Sequence, residues 1–223
     1  MTPSPKRRTS FLSSLGLACA LACAVFTAGP GLAAEPPPQG IIDMHSHVAG
    51  LGGGGSGCFV SEKLQDNWRF GAYLKSFGVT RKELQEHGDG LMAERISAAL
   101  SKSKLVSKAV LLAMDGVIAA DGSLDLKRTE IYVPDEFVAA AAAKYPNLLY
   151  GASVNPNRKD ALQRLDWAKK HGAVLVKWLP SIMAIDPADP KLVPYYKKLV
   201  ELKLPLLTHT GQERSFSSSE DEL

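Results

Sequence analysis

Asp43-Met44-His45-Ser46-His47 is the segment of this sequence best equipped for chemistry. On an extended chain, residues two apart face the same side, so Asp43, His45 and His47 can converge there. Two imidazoles at that spacing can hold one metal ion. A further histidine, His209, follows a later apolar run, Leu206-Leu207-Thr208, and Lys177 sits near the end of another. Asp115 and Asn155 stand at the ends of two more. The bland reading of a His-x-His pair is two polar loop histidines, because short motifs recur by accident. Here the motif follows an apolar strand opening at the start of the domain, which favours the metal reading.

The elements that must position these residues alternate. Short apolar runs at 41–44, 109–114, 148–154, 174–179 and 206–208 read as strands, and amphipathic stretches at 81–104, 135–144, 158–171 and 192–202 read as helices. Pro134 before the second helix and Gly172 after the third punctuate them. Such alternation predicts parallel strands joined by helical crossovers, an α/β class in which near-continuous apolar strands are covered by helices. Barrel and open sheet share this pattern. The polar residues decide between them, since an α/β barrel gathers its chemistry at the strand C-termini, and here the polar residues stand at those ends.

Three segments together resemble the amidohydrolase superfamily: Asp43-Met44-His45-Ser46-His47, Gly172-Ala173-Val174-Leu175-Val176-Lys177 and Leu206-Leu207-Thr208-His209-Thr210-Gly211. They look like the first, fourth and fifth strand ends of its amidohydrolase-related branch, which also holds decarboxylases similar to aminocarboxymuconate-semialdehyde decarboxylase. The likeness spans about residues 40 to 216. It implies a metal-dependent (β/α)8 barrel with His45, His47 and His209 as metal ligands and Asp43 orienting a ligand. For Lys177 it leaves two roles open. A carboxylated lysine would bridge two metals, whereas a lysine that keeps its amine would favour carboxylate-bearing substrates. The plain alternative is a strand-end lysine reaching solvent.

A divalent ion lowers the pKa of bound water to about 7 and polarises a carbonyl, so the resemblance implies hydrolysis of an amide, lactone or ester of a small molecule. The alternative on the same scaffold is a metal-dependent decarboxylase, and a third is a non-catalytic metal-binding or partner-binding remnant. Imidazole ligands suit zinc, one ion or two, with manganese, iron and nickel also compatible. Gly50 to Gly57 lacks the Lys-Ser or Lys-Thr pair of a phosphate cradle and reads as a mobile lid or loop beside the metal. Trp68, Arg69 and Tyr73 recur at helical spacing and are candidate pocket walls. His87 and His171 each precede a glycine and read as helix C-terminal residues.

Composition narrows the partners. The formal charge of +3 is accounted for by Lys6, Arg7 and Arg8, so the remainder is balanced and no nucleic-acid groove is expected. A 45% hydrophobic, 22% charged chain is that of an ordinary folded domain. Residues 1–34 carry a basic start, an apolar stretch at 11–26 and Ala33-Ala34, the three parts of a cleavable export signal. Periplasmic or secreted residence follows, with no permanent membrane span; lipoprotein anchoring through Cys23 and a twin-arginine route are the variants. Residues 35–39 form a Pro-rich spacer. Cys58 is the one cysteine beyond that segment, so no internal disulfide is expected in the exported part. A complete barrel needs about 250 residues and eight strand-helix units, so residues 40–223 amount to an incomplete barrel of about five. The first reading of that shortfall is a fragment of a longer hydrolase; the alternative is a genuinely short chain whose uncovered sheet edge predicts a homo-oligomer or a partner chain.

Overall fold

The structure, a computed structural model, describes residues 40–211. Strand β1 (Ile41–His47) leads into a glycine-rich turn, the short strand β2 (Phe59–Val60) and helices α1 (Glu62–Gln65), α2 (Trp68–Ser76), α3 (Arg81–His87) and α4 (Gly90–Lys102). Then come β3 (Val106–Leu112), β4 (Ile131–Tyr132), α5 (Asp135–Lys144), β5 (Leu148–Ala152), α6 (Ala161–Lys170) and β6 (Leu175–Trp178). Helices α7 (Pro180–Met183) and α8 (Val193–Leu202) precede β7 (Leu206–Thr208).

Five strands form one sheet in the order β1-β3-β5-β6-β7, every neighbouring pair parallel, and β2 pairs with β4 in a small antiparallel ribbon. Spatial order follows chain order, as right-handed crossovers through helices produce. The sheet curls into a half-barrel compatible with part of a (β/α)8 barrel. One face carries Leu111, Leu148, Tyr150, Val176 and Trp178 and packs against Met92, Val138, Leu165 and Leu199 of the crossover helices. The other carries Val110, Leu112 and Leu175, with Leu149 and Leu207 beside them. Burying each such aliphatic side chain contributes roughly 1.5–3 kcal/mol, so the helix-covered face supplies most of the driving force.

The local signals act as their chemistry dictates. Thr80 and Glu83 form a reciprocal capping box at the start of α3. Glu136 occupies the first turn of α5 and Lys144 its last, each complementing the helix dipole. The expected single helix at 81–104 is two. It breaks at Gly88, which has a φ of 82° and lies against the backbone of Gly54, so the glycine-rich turn occupies the gap between α3 and α4. β1 departs from the expectation of an apolar strand covered by helices. Ile41 and Met44 stay about half exposed, at 51% and 48%, because β1 is an edge of the sheet.

Candidate metal and substrate site

The C-terminal end of β1 holds the closest meeting of candidate groups. His45 and His47 place their Nε2 atoms 2.9 Å apart, with the rings edge to face at 4.8 Å between centroids. Both nitrogens cannot carry a proton at that distance, so at least one Nε2 lone pair is directed into the gap. The separation suits an N–H···N hydrogen bond and equally two nitrogens that share one ion, so the pair fits a metal. Asp43 does not simply join them on one face. A bulge between Asp43 and Ser46 shifts the register, and Asp43 Oδ1 accepts the backbone N–H of His45 at 2.9 Å. Asp43 therefore orients His45 through its main chain.

Register and alternation place the other candidates. His47 pairs with Leu112, on the face opposite the helices. Leu175 and Leu207 belong to that face as well, so Lys177 and His209, each two residues further on, fall on it too. His209 N–H donates to Trp178 O at 3.0 Å and extends the β6–β7 ladder. His45 and His47 lie on one edge strand and His209 follows the other. Among the described residues no group of three or more His, Cys, Asp or Glu side chains is placed to hold a metal ion. The structure thus brings His45 and His47 together. Lys177 is 1% exposed, which removes the reading of a lysine reaching solvent.

A cavity of about 180 Å³ opens beside the pair. His47, Met114 and Leu179 line it from the ends of three sheet strands, and Arg69, Phe70 and Tyr73 of α2 wall it. Tyr73 donates its hydroxyl to His47 O at 3.0 Å, tying α2 to the end of β1. Burial pushes the Tyr73 phenol well up, so it stays a neutral donor. Arg69 stacks over the Trp68 ring at 5.2 Å, and Trp68 itself is exposed. Of the three candidate walls at helical spacing, Arg69 and Tyr73 line this cavity.

The glycine-rich turn is held rather than loose. Asp89, fully buried, accepts the backbone N–H groups of Leu51 and Gly52 at 2.8 Å each, and the Ser56 hydroxyl donates to it as well. Gly53 must lack a side chain, because a Cβ there would lie 2.6 Å from Leu84 O. Cys58, just beyond, is buried and pushed up to about 12 by that burial, so it is an inert thiol. His171 ends α6, with Nδ1 2.7 Å from Trp167 O and its ring stacked on Trp167, as its place before Gly172 suggested. His87 likewise closes α3.

A second polar cluster braces the strand ends. Arg158 grips Asp115 in a bidentate pair, with Nε to Oδ2 and Nη2 to Oδ1 both at 2.6 Å, and the two side chains are only 7% and 3% exposed. Asp115 also accepts the N–H groups of Gly116 and Asn155, and Asn155 donates to Gly116 O and Met183 O. Ser153 accepts the Asp115 N–H and donates to Lys177 O, while its own N–H goes to Asp135 Oδ1 at 2.9 Å. Burial, opposed by that Ser153 hydrogen bond, pushes Asp135 up to about 7. Asp115 and Asn155 were legible as strand-end polar residues. Arg158 and Asp135 were not, since each reads in sequence as an ordinary helix-start charge.

No family model matches the chain, and no curated protein matches it. Among solved structures it is similar to a probable 2-pyrone-4,6-dicarboxylic acid hydrolase from Acinetobacter baumannii, crystallised with citric acid bound. The two share 14% identity at a TM-score of 0.40, over 76% of this chain and 49% of that one. The chain thus spans about half the length of that hydrolase. So loose an overlap transfers no chemistry, and the functional reading rests on the residues themselves.

Proposed function

We propose that this chain carries the site of an exported, metal-dependent hydrolase of the amidohydrolase type, acting on an amide, lactone or ester of a small molecule. The observation that carries the reading is the His45 and His47 Nε2 pair, 2.9 Å apart, with His47 also lining a cavity. A divalent ion, with zinc the first expectation and manganese, iron or nickel also suited, supplies Lewis acidity and a water of lowered pKa, about 7. His45 and His47 are the residues that would hold it. Asp43 keeps the main chain at His45 in register, and Tyr73 holds the carbonyl of His47. Arg69 at the cavity wall orients substrate oxygens, and Lys177, buried on the same face of the sheet as His47, either bridges two ions as a carboxylated lysine or favours a carboxylate-bearing substrate through its amine. The apolar wall of Phe70, Met114 and Leu179 limits water beside the bound substrate. The export segment at 1–34 lies outside the described residues, and among those described no helix is long and apolar enough to cross a membrane.

Arg69 at the cavity wall also favours a second reading, a decarboxylase acting on a carboxylate-bearing aromatic or unsaturated acid. Metal analysis of the purified full chain tests the shared premise. The wild type should retain a divalent ion that His45→Ala/His47→Ala loses, with chelator-sensitive hydrolysis of a lactone and ester panel restored by zinc. Undiminished metal in the double variant would refute the site. Carbon dioxide release without hydrolysis across a matched acid panel would select the decarboxylase.

A further inference from the structure

We infer that the open groove at the turn between α1 and α2 is the leaving-group subsite of the hydrolase, and that it takes a neutral, flat aromatic alcohol or amine against the ring of Trp68. The inference rests on the hydrolase reading above and adds what the substrate carries beyond its acyl group. The groove, of about 470 Å³, is lined by Lys63, Leu64, Asp66, Asn67, Trp68 and Arg69. Leu64 and Arg69 also line the cavity beside His47, so they stand between the two spaces. Arg69 is exposed although it lines that cavity, which places it at the mouth. A cavity of about 150 Å³ holds one benzene ring, so the space of about 180 Å³ here holds little more than one ring-sized acyl group. The rest of a larger substrate must pass Arg69 into the groove.

The lining of the groove suits an aromatic ring. Trp68 is 73% exposed, whereas Trp178 is fully buried and Trp167 is stacked on His171. An exposed indole presents an apolar plane that a second ring covers well, in offset or edge-to-face contact. Arg69 lies over the Trp68 ring at 5.2 Å, a cation–π contact that holds its guanidinium at the boundary of the two spaces. The turn is already fixed in place. Ser61 Oγ accepts the Leu64 N–H at 3.2 Å, Asn67 Oδ1 accepts the Arg69 N–H at 3.0 Å, and Gln65 Nε2 donates to Val60 O at 2.8 Å. Lys63 and Asp66 are opposite in sign, so between them they favour no ion, while Lys63 can donate to a hydroxyl and Asp66 can accept from a hydroxyl or amino group. In the reaction, water gives its hydroxyl to the carbonyl carbon and its proton to the departing oxygen or nitrogen as the C–O or C–N bond breaks. The acyl group remains in the cavity as a carboxylic acid, and the aromatic alcohol or amine is left in the groove.

Two measurements on the full chain test this. Calorimetric titration of the metal-depleted protein with 2-naphthol should give saturable binding, about 5- to 10-fold weaker in Trp68→Ala and largely restored in Trp68→Phe. With zinc present, the ratio of kcat/KM for 2-naphthyl acetate to that for ethyl acetate should fall by a similar factor in Trp68→Ala, because the ethyl group has no ring contact to lose. Intrinsic leaving-group reactivity cancels between the proteins. Trp68 is exposed, so its replacement leaves the core intact, and urea unfolding of each variant confirms its fold. No 2-naphthol binding by the wild type, or binding by Trp68→Ala as tight as the wild type's, would overturn the subsite. Hydrolysis with an unchanged ester ratio would overturn this inference and leave the hydrolase reading standing. Trp68-dependent binding of 2-naphthol with neither ester hydrolysed would refute the hydrolase reading and the leaving-group role with it.

Discussion

Replacing Asp135 by Asn should flatten the protein's stability against pH. The Asp135 carboxyl is buried at the start of α5, where its ionised form is penalised, and its pKa is pushed from 3.8 up to about 7. A raised carboxyl binds its proton more tightly in the folded chain than in the unfolded one. Its contribution is therefore fully present below about pH 4 and is lost as pH rises through about 7. At about 1.36 kcal/mol per unit, a rise of roughly three units amounts to about 4 kcal/mol. That is a large share of the roughly 5–15 kcal/mol that holds a domain folded. Asn keeps an oxygen for the Ser153 N–H and an amide that Tyr150, whose phenol lies beside the carboxyl, can accept from. Urea unfolding of both proteins at pH 4.5, 6 and 8 isolates the effect, since every other titrating group cancels in the difference. The variant should gain on the wild type by about 3 kcal/mol across that range, since part of the effect is already lost at pH 4.5, a midpoint change of roughly 1.5 M at a urea slope of about 2 kcal/mol per M. Parallel stability curves for the two proteins would refute the argument that Asp135 is the strained carboxyl.

Arg158→Met should cost about 3–5 kcal/mol in urea unfolding, because it removes the bidentate partner and leaves the Asp115 charge buried. Arg158→Met/Asp115→Leu should recover part of that loss, and a double variant no more stable than the single would contradict it. Asp89→Asn should loosen the glycine-rich turn by about 1.5–3 kcal/mol, since one of its two charged acceptor oxygens is replaced by a donor. Hydrogen exchange at the Leu51 and Gly52 amides should then quicken by roughly 10- to 100-fold relative to the Leu111 amide, and unchanged protection there would refute the pinning role.

The contrast between Thr80 and Asp89 separates what was legible from what was not. Both are polar residues just before a helix. Thr80 caps α3 with partners three residues away, and the pattern Thr-x-x-Glu announces it. Asp89 precedes α4 in the same way, yet its carboxylate makes no cap and reaches back 38 residues to Leu51. Arg158 and Asp115, 43 apart, meet for the same reason: parallel crossovers bring the starts of helices to the ends of neighbouring strands. Propensity and spacing carry no information about such pairs.

Taken by itself, the sequence determined whatever depends on neighbours within a few residues. That includes the alternation of strands and helices, the capping of α3, the ends of α5 and the imidazole pair at His45 and His47, whose spacing on an extended chain suffices to bring them together. Tertiary structure decided the rest. Folding put β1 at an edge and so left its apolar residues half exposed, and it buried Lys177. It set Asp135 where its proton is retained, and it placed His209 just beyond β7, the last described strand of the sheet. Burial and edge position are properties of how strands are ordered around one another, and that order is set by the packing of the crossover helices on one face of the sheet.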